Sequence, residues 1–239
     1  MSDINADATD VKHQVRSTYD SISSDFDRTR RKPWPPVAKF IARLPDGARV
    51  LDIGCGNGKD AVAVLEHGCQ CVCVDLSVEQ CGTARRKLET HAMALAGACP
   101  AFEVLQGDCE SLPFKDGAFD AVLFIATLHH LSGRSHRLKA LAEMKRVMRP
   151  GAKGLISVWD FGQERFEEER SRQASGARPE PPGTEFGDVM VPWKTRQCTY
   201  KRYYHLFVLR EFEELIREVG FSKTTIMTDT GNHFAEVVR

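Results

Sequence analysis

Four residues at alternate positions, Asp52, Gly54, Gly56 and Gly58, set out the first chemistry in this 239-residue chain. They close a short apolar run over 49–53. An Asp-x-Gly-x-Gly-x-Gly loop at a strand end permits a tight turn and lets a ligand approach the backbone at the carboxyl edge of a sheet. Two phosphate-binding patterns are excluded. The dinucleotide fingerprint needs G-x-G-x-x-G, whereas Gly58 comes one position early and Lys59 stands where the third glycine belongs; the P-loop spacing is absent. The acids narrow the ligand further. Asp75 ends the next apolar run and Asp108 lies just past the one after, so Asp52, Asp75 and Asp108 fall in register on successive strand ends. Singly, each is an ordinary strand-end cap or turn residue. Together they repel pyrophosphate and suit a cationic ligand with a diol. S-adenosylmethionine carries an ammonium, a sulfonium and a ribose diol whose hydroxyls can donate to Asp75.

Two clusters combine cations with aromatic rings. Arg28, Arg30, Arg31 and Lys32 adjoin Trp34, with only Asp25 and Asp27 nearby, and over 193–204 Lys194, Arg196, Lys201 and Arg202 alternate with Trp193, Tyr200, Tyr203 and Tyr204. Such clusters offer phosphate contacts and platforms for unpaired loop bases. The alternative is a solvated charged face over aromatics packed inward. Were the ligand at these clusters to carry a carboxylate, it would already be ionised at neutral pH and need positioning more than a base, with Arg30 first, or Lys32, holding one carboxylate oxygen. His129 and His130 follow the fourth apolar run, where one can bind a base edge or act as a base while the other faces solvent or caps a helix. His205 and Asp160 are weaker candidates.

The elements that must position these residues follow from periodicity. Val11, Val15, Tyr19, Ile22 and Phe26 recur at spacings of three and four, an amphipathic helix over 11–26 that lies on a larger body. Apolar runs at 49–53, 69–74, 102–106, 119–125 and 154–159 alternate with helical stretches at 61–65, 78–91 and 138–148, which predicts a mostly parallel α/β sheet. A helix over 211–219, strands at 224–228 and 234–238, and a turn at Gly231 and Asn232 predict a terminal antiparallel hairpin. The polar, Pro- and Gly-rich stretch 162–188 reads as a mobile insertion. One domain is expected, with an N-terminal helix and substrate-side segment at 11–35, a cofactor-binding core at 48–160, the insertion at 161–190, and a second substrate-side segment with helix and hairpin at 191–239.

Composition sets outer limits. Lys plus Arg and Asp plus Glu both total 33, which excludes a broadly basic surface and confines any nucleic-acid site to a patch. No apolar run reaches the roughly 18 residues of a membrane span, and the N-terminus lacks a signal-peptide pattern. A cytoplasmic location is expected, with the nucleus a second compartment. The eight cysteines lack paired C-x-x-C spacing and read as reduced thiols, with Cys69, Cys71 and Cys73 sharing one strand face as buried apolar residues. No metal is expected in the chain.

The motifs LDIGCGNGK, VDLS, GDCESLPF, FDAVLFIATLHHL and the Arg-Pro-Gly turn at 149–151 resemble the class I S-adenosylmethionine-dependent methyltransferases. That resemblance implies a seven-stranded Rossmann-like sheet of order 3-2-1-4-5-7-6. It also implies that Gly54, Cys55, Gly56, Asn57 and Gly58 hold the methionine part, Asp75 with Leu76 the ribose, Asp108 and Cys109 the adenine edge, and Ile125 the inner face. The flanks, FDRTRRKPWP, VPWK and RYYHLF, extend the resemblance to the tRNA wobble-uridine carboxymethyl methyltransferases, the family related to the methyltransferase domain fused to an AlkB-like hydroxylase. It implies esterification of 5-carboxymethyluridine in the tRNA anticodon loop, with Arg28, Arg31, Trp34, His130, Trp193, Lys194, Arg202 and Tyr203 on the substrate side. It further implies a small zinc-containing activator protein docked on the edge strand 102–106. Two rival readings share the cofactor motifs or the fold: a small-molecule methyltransferase, which would carry apolar flanks, and a non-catalytic RNA-binding module, which would not keep Asp52, Asp75 and the three glycines.

Overall fold

A computed structural model describes residues 3–94, 101–177, 185–196 and 198–239, with side chains from residue 10 onward. Helix α1 (Asp3–Thr29) runs beyond the apolar stripe on both sides, and a short helix α2 (Pro35–Ile41) follows. Two prolines open α2 where the missing N–H costs nothing, and Trp34 before them is extended, as a residue preceding proline tends to be. The alternation then begins: β1 (Arg49–Ile53), α3 (Lys59–Glu66), β2 (Gln70–Asp75), α4 (Val78–Ala94), β3 (Phe102–Gln106), β4 (Phe119–Ile125), α5 (Arg134–Val147) and β5 (Met148–Trp159). After helix α6 (Glu167–Ala174) and strands β6 (Asp188–Lys194) and β7 (Thr199–His205), the chain ends in α7 (Leu209–Val219), β8 (Lys223–Asp229) and β9 (Asn232–Val238).

The central sheet has the order β3-β2-β1-β4-β5-β9-β8, which is the expected 3-2-1-4-5-7-6 when its seven strands are counted along the chain. β1 to β5 are parallel, and β9 enters antiparallel between β5 and β8. Six of the seven positions of β4 are buried, the continuous apolar run of a strand covered on both faces. One face is packed by α5 and α7 through Leu141, Met144, Phe212 and Ile216; the other carries α2, α3 and α4 through Phe40, Val64, Leu65 and Leu88. Cys69, Cys71 and Cys73 are wholly buried together in the second layer, as small apolar residues. Seven cysteines are free thiols among the described residues, and Cys99 lies outside them. No helix among the described residues is long and apolar enough to cross a membrane.

Four expectations are corrected. The terminal turn is Thr230–Gly231, both in the left-handed region, and Asn232 already belongs to β9. Helix α5 stops at Val147, and the Arg-Pro-Gly segment is taken into β5, whose register against β4 shifts between Phe119 and Ala121. The insertion 161–190 carries α6, whose Gln173 is buried and bonds Gly187 and the Asp188 carbonyl; residues 178–184 lie outside the described part. The fourth concerns 191–205. β6 and β7 form a two-stranded antiparallel sheet of their own, with Val189 opposite Tyr204, Val191 opposite Arg202 and Trp193 opposite Tyr200. Because strand side chains alternate, Arg202 and Tyr204 share one face while Lys201, Tyr203 and His205 take the other.

Behind that second face is a buried polar network. Tyr203 Oη donates to Asp188 at 2.7 Å, and His205 donates to Asp188 at 2.6 Å and to Glu211 at 2.8 Å. Burial works against the His205 charge, but the hydrogen bonds to Asp188 and Glu211 outweigh it and raise its pKa. Arg137, wholly buried, pairs with Glu185 and donates to the Leu131 carbonyl at 3.0 Å. The network fastens the small sheet to α5 and α7, which gives His205 a structural task. Asp160 likewise accepts the Gly162 N–H at a local turn.

Candidate active site

A cavity opens at the carboxyl ends of β1, β2, β4 and β5, with about 1210 Å³ of empty space including its mouth. Helix α1 crosses it. Of the apolar stripe that predicts the helix, Val11 and Ile22 are buried in packing, whereas Val15, Tyr19 and Phe26 face the cavity. Three polar ties set the helix in place. Asp20 accepts from Ser77 Oγ at 2.6 Å and from the Glu79 N–H at 3.2 Å, so α1 helps cap α4. Asp27 pairs with Lys87 and accepts from Asn57 Nδ2 at 2.8 Å, and Asn57 Nδ2 also donates to the Arg30 carbonyl at 2.7 Å.

At one end of the cavity the glycine loop supplies backbone. Gly54, Gly56 and Gly58 all have φ between 53° and 75°. A Cβ on Gly54 would stand 2.1 Å from Thr127 Oγ1, so only glycine lets the two strand ends meet. Ala126 beside it takes φ 51°, a strain of about 1 kcal/mol, held by its N–H bond to Ser157 Oγ at 3.0 Å. Asp75 accepts the Gly56 N–H at 2.8 Å and the Ser77 N–H at 2.9 Å, which aims its carboxylate along the loop. Burial pushes its pKa up to about 6 against the pull of those backbone donors. Leu76, Asp108, Cys109 and Ile125 complete this end, and Asp108 is paired with Lys12 at 2.7 Å.

Several expected cofactor contacts are displaced. Asp52 is 1% exposed and lies beneath the loop, not in the cavity; burial and the Asp60 carboxylate push its pKa up. Gly58 packs against Ala84 as the N-cap of α3. Asn57 lines the cavity, but its amide is committed to α1. Asn57→Ala is expected to free the end of α1, costing about 1–2 kcal/mol of stability and slowing turnover more than it weakens donor binding; chemical denaturation and calorimetry check both parts.

At the other end stand Arg30, Trp34, His129, His130, Trp159, Arg202 and Tyr204. Burial, together with the hydrogen bonds, keeps both histidines neutral. His130 Nδ1 faces the Tyr203 carbonyl at 2.9 Å and must donate, so Nε2 accepts from Tyr19 Oη at 2.9 Å. Tyr19 oxygen in turn accepts from Tyr204 at 3.3 Å, and Tyr204 oxygen accepts from Arg202 Nη1 at 2.8 Å. His129 Nδ1 accepts the Trp159 N–H at 3.1 Å, which leaves its proton on Nε2. Burial, with the charge of Arg202 added, lowers the His129 pKa and takes His130 to about 3.

The expected substrate residues divide. Arg28, Arg31 and Lys32 are exposed outside the cavity, Arg28 paired with Asp25 and Arg31 bonded to the Arg28 carbonyl. Lys194 is exposed on the far face of β6, and Tyr203 is buried on the far face of β7. Trp193 donates to Asp25 at 3.0 Å and packs on Phe26, so its ring docks α1 instead of lining the cavity. Sequence reasoning left Lys12, Thr127, Trp159 and Arg165 unassigned. Alternation over 199–205 was the available signal that Tyr204, and not Tyr203, accompanies Arg202.

Fold and site together define a class I S-adenosylmethionine-dependent methyltransferase. The residues present fit that donor: an acidic carboxylate beside backbone opened by glycine, with a second acid, Asp108, at the same end. Residues 51–156 match the methyltransferase domain family. The chain is 33% identical over 229 residues to a tRNA (carboxymethyluridine(34)-5-O)-methyltransferase of Schizosaccharomyces pombe, covering 87% of this chain and 88% of that protein. It is 30% identical to a protein of the same name from Xenopus tropicalis, covering 87% of this chain but 38% of that one, and 38% identical to an Arabidopsis thaliana counterpart of which it spans 34%. A SAM-dependent methyltransferase from Methanosarcina mazei shares the fold at TM-score 0.67 and 20% identity, over 87% of this chain and 97% of that one. The chain belongs to the tRNA (carboxymethyluridine(34)-5-O)-methyltransferase family.

Proposed function

We propose that the chain methylates the carboxylate of 5-carboxymethyluridine at the tRNA wobble position, giving the methyl ester. The observation that carries this reading is an acceptor end without a free base. His129 and His130 are both neutral, and each already uses its basic nitrogen to accept a hydrogen bond. A hydroxyl or amine acceptor would need to lose a proton; a carboxylate arrives ionised. The donor supplies an electrophilic methyl whose bond to sulfur breaks with its electron pair as the carboxylate oxygen bonds to carbon, so opposite charges cancel and no proton moves. Exclusion of water by α1 and the aromatic wall favours such a step. Arg30, which lines the cavity, aligns the acid, and His129 Nε2–H is placed to donate to an acceptor oxygen.

Family likeness over most of the S. pombe protein supports the substrate. The proposal includes a zinc-containing activator protein on β3, the sheet edge, where Leu105 is 36% exposed beside exposed Glu103 and Gln106. Labelled S-adenosylmethionine and tRNA from cells lacking the modification, with and without that activator, test the reading. Nucleoside mass spectrometry should show the methyl ester; donor binding without any methylated tRNA nucleoside overturns it and favours a small-molecule acceptor. At saturating donor the turnover is expected to be flat between about pH 6.5 and 9, since His129 and His130 are both held neutral across that range. His129→Ala should lose about tenfold in turnover and His129→Gln less, because the amide restores a donor. A fall in turnover on the acid side of about pH 6.5 that vanishes in these variants would instead make His129 a base.

A further inference from the structure

Arg202 is 5% exposed, projects from β7 to the acceptor end of the cavity, and has no carboxylate partner among the described residues. Burying a guanidinium without a counter-charge is unfavourable unless an anion arrives to match it. Its Nη1 is spent on Tyr204 Oη at 2.8 Å. Nε is buried and has no acceptor, so the Nε–Nη2 edge, the side of the fork that takes a carboxylate bidentately, is the part left open. Two rings adjoin it: Arg202 Cζ stands 4.7 Å from the Trp193 ring centre and 5.1 Å from that of Tyr204.

Its surroundings carry the same sign. Arg30 leans on the Trp193 ring as well, at 5.7 Å, and Arg165 covers Trp159 at 4.4 Å, while Trp159 stacks on Tyr204 at 4.3 Å. None of the three arginines is ion-paired among the described residues, and the two histidines between them are neutral. Arg137, the other buried guanidinium among the described residues, pairs with Glu185.

Resting on the proposed reaction, we infer that Arg202, braced by Tyr204 and Trp193, is the residue that recognises the acceptor's carboxylate, with Arg30 as the outer cation. Tyr204 transmits its orientation to Tyr19 and His130 through the hydrogen-bond chain, so the fork is fixed before the acceptor arrives. Arg202 thereby sets specificity for an acid over its neutral amide.

The full chain with its activator and S-adenosylhomocysteine is titrated with two anticodon stem-loops, one bearing 5-carboxymethyluridine and one the isosteric 5-carbamoylmethyluridine. The unchanged protein should prefer the acid by about tenfold or more. Arg202→Met should bring that ratio to about one, and Arg202→Lys should keep only part of it, since an ammonium restores charge but not the fork. S-adenosylhomocysteine affinity should stay within about twofold in both and reports folding. If Arg202→Met does not fold, the Arg202→Lys ratio decides. An unchanged ratio in a folded variant, or equal binding of both stem-loops by an unchanged protein that still methylates tRNA, overturns the inference. No methylation of any tRNA by the unchanged protein overturns the underlying reaction instead.

Discussion

Asp75→Ala is expected to bind S-adenosylmethionine on the order of 100-fold more weakly, about 3 kcal/mol, because on the proposed placement of the donor two charge-assisted hydrogen bonds to the ribose diol would be lost together. The same change releases the Gly56 and Ser77 N–H groups, so the loop loses its anchor as well as its ligand contact. Asp75→Asn should fall between, keeping one acceptor oxygen. Acid mimics the substitution. With its pKa raised to about 6 by burial, Asp75 takes up a proton below that pH, and donor affinity should drop about tenfold per pH unit beneath it. The unliganded fold responds the other way. An acid whose folded pKa is raised destabilises the fold above that value, and this cost is relieved as pH falls from about 6 towards the ordinary 3.8. Calorimetric titration between pH 5 and 8 checks the affinity, and thermal unfolding of the unliganded chain checks the sign. Affinity independent of pH, or a loss under threefold in Asp75→Ala, would remove Asp75 from the donor site.

Gly54→Ala is expected to abolish measurable donor binding and to destabilise the fold by about 3 kcal/mol. Two separable causes contribute. The new Cβ would sit 2.1 Å from Thr127 Oγ1 and 2.3 Å from Thr127 Cγ2, and an alanine at φ 68° is strained even in open space. Pairing it with Thr127→Ala removes the two closest contacts but leaves Thr127 Cβ 2.7 Å away, so part of the clash persists beside the backbone cost of about 1 kcal/mol. The double variant should therefore be more stable than Gly54→Ala alone, a non-additivity that denaturant unfolding reads directly. Simple addition of the two losses would mean that the loop moves away from Thr127 freely.

How much of this was legible in the sequence differs by element. The glycine loop and Asp75 were, because a left-handed turn and a strand-end acid leave residue types that little else demands. The parallel sheet also followed, since β4 and its neighbours are apolar runs that only a doubly covered strand explains, whereas its order came from the resemblance of the motifs to the class I methyltransferases. Asp52 was misread because register on a strand end does not tell whether a side chain points into the cleft or beneath it. The basic run 28–32 was read as one unit, yet only Arg30 reaches the cavity and its neighbours fan outward. β6 and β7 escaped because their residues are polar, basic and aromatic instead of apolar, so charge drew notice while the two-residue period went unused. That period decides between Tyr203 and Tyr204.

The course of α1 carries one more consequence. The helix sets Lys12 against Asp108, Val15 and Tyr19 over the middle of the cavity, and Phe26 by the loop, while Asn57 ties the loop to the Arg30 carbonyl. A single rod of backbone therefore runs along both ends of the cavity, the places proposed for the two reactants. Any shift that one reactant imposes on it is felt by the other, and by thermodynamic reciprocity each must alter the other's affinity by the same factor. On the proposed placement of the two reactants, donor and acceptor are then expected to bind as partners in one cooperative assembly.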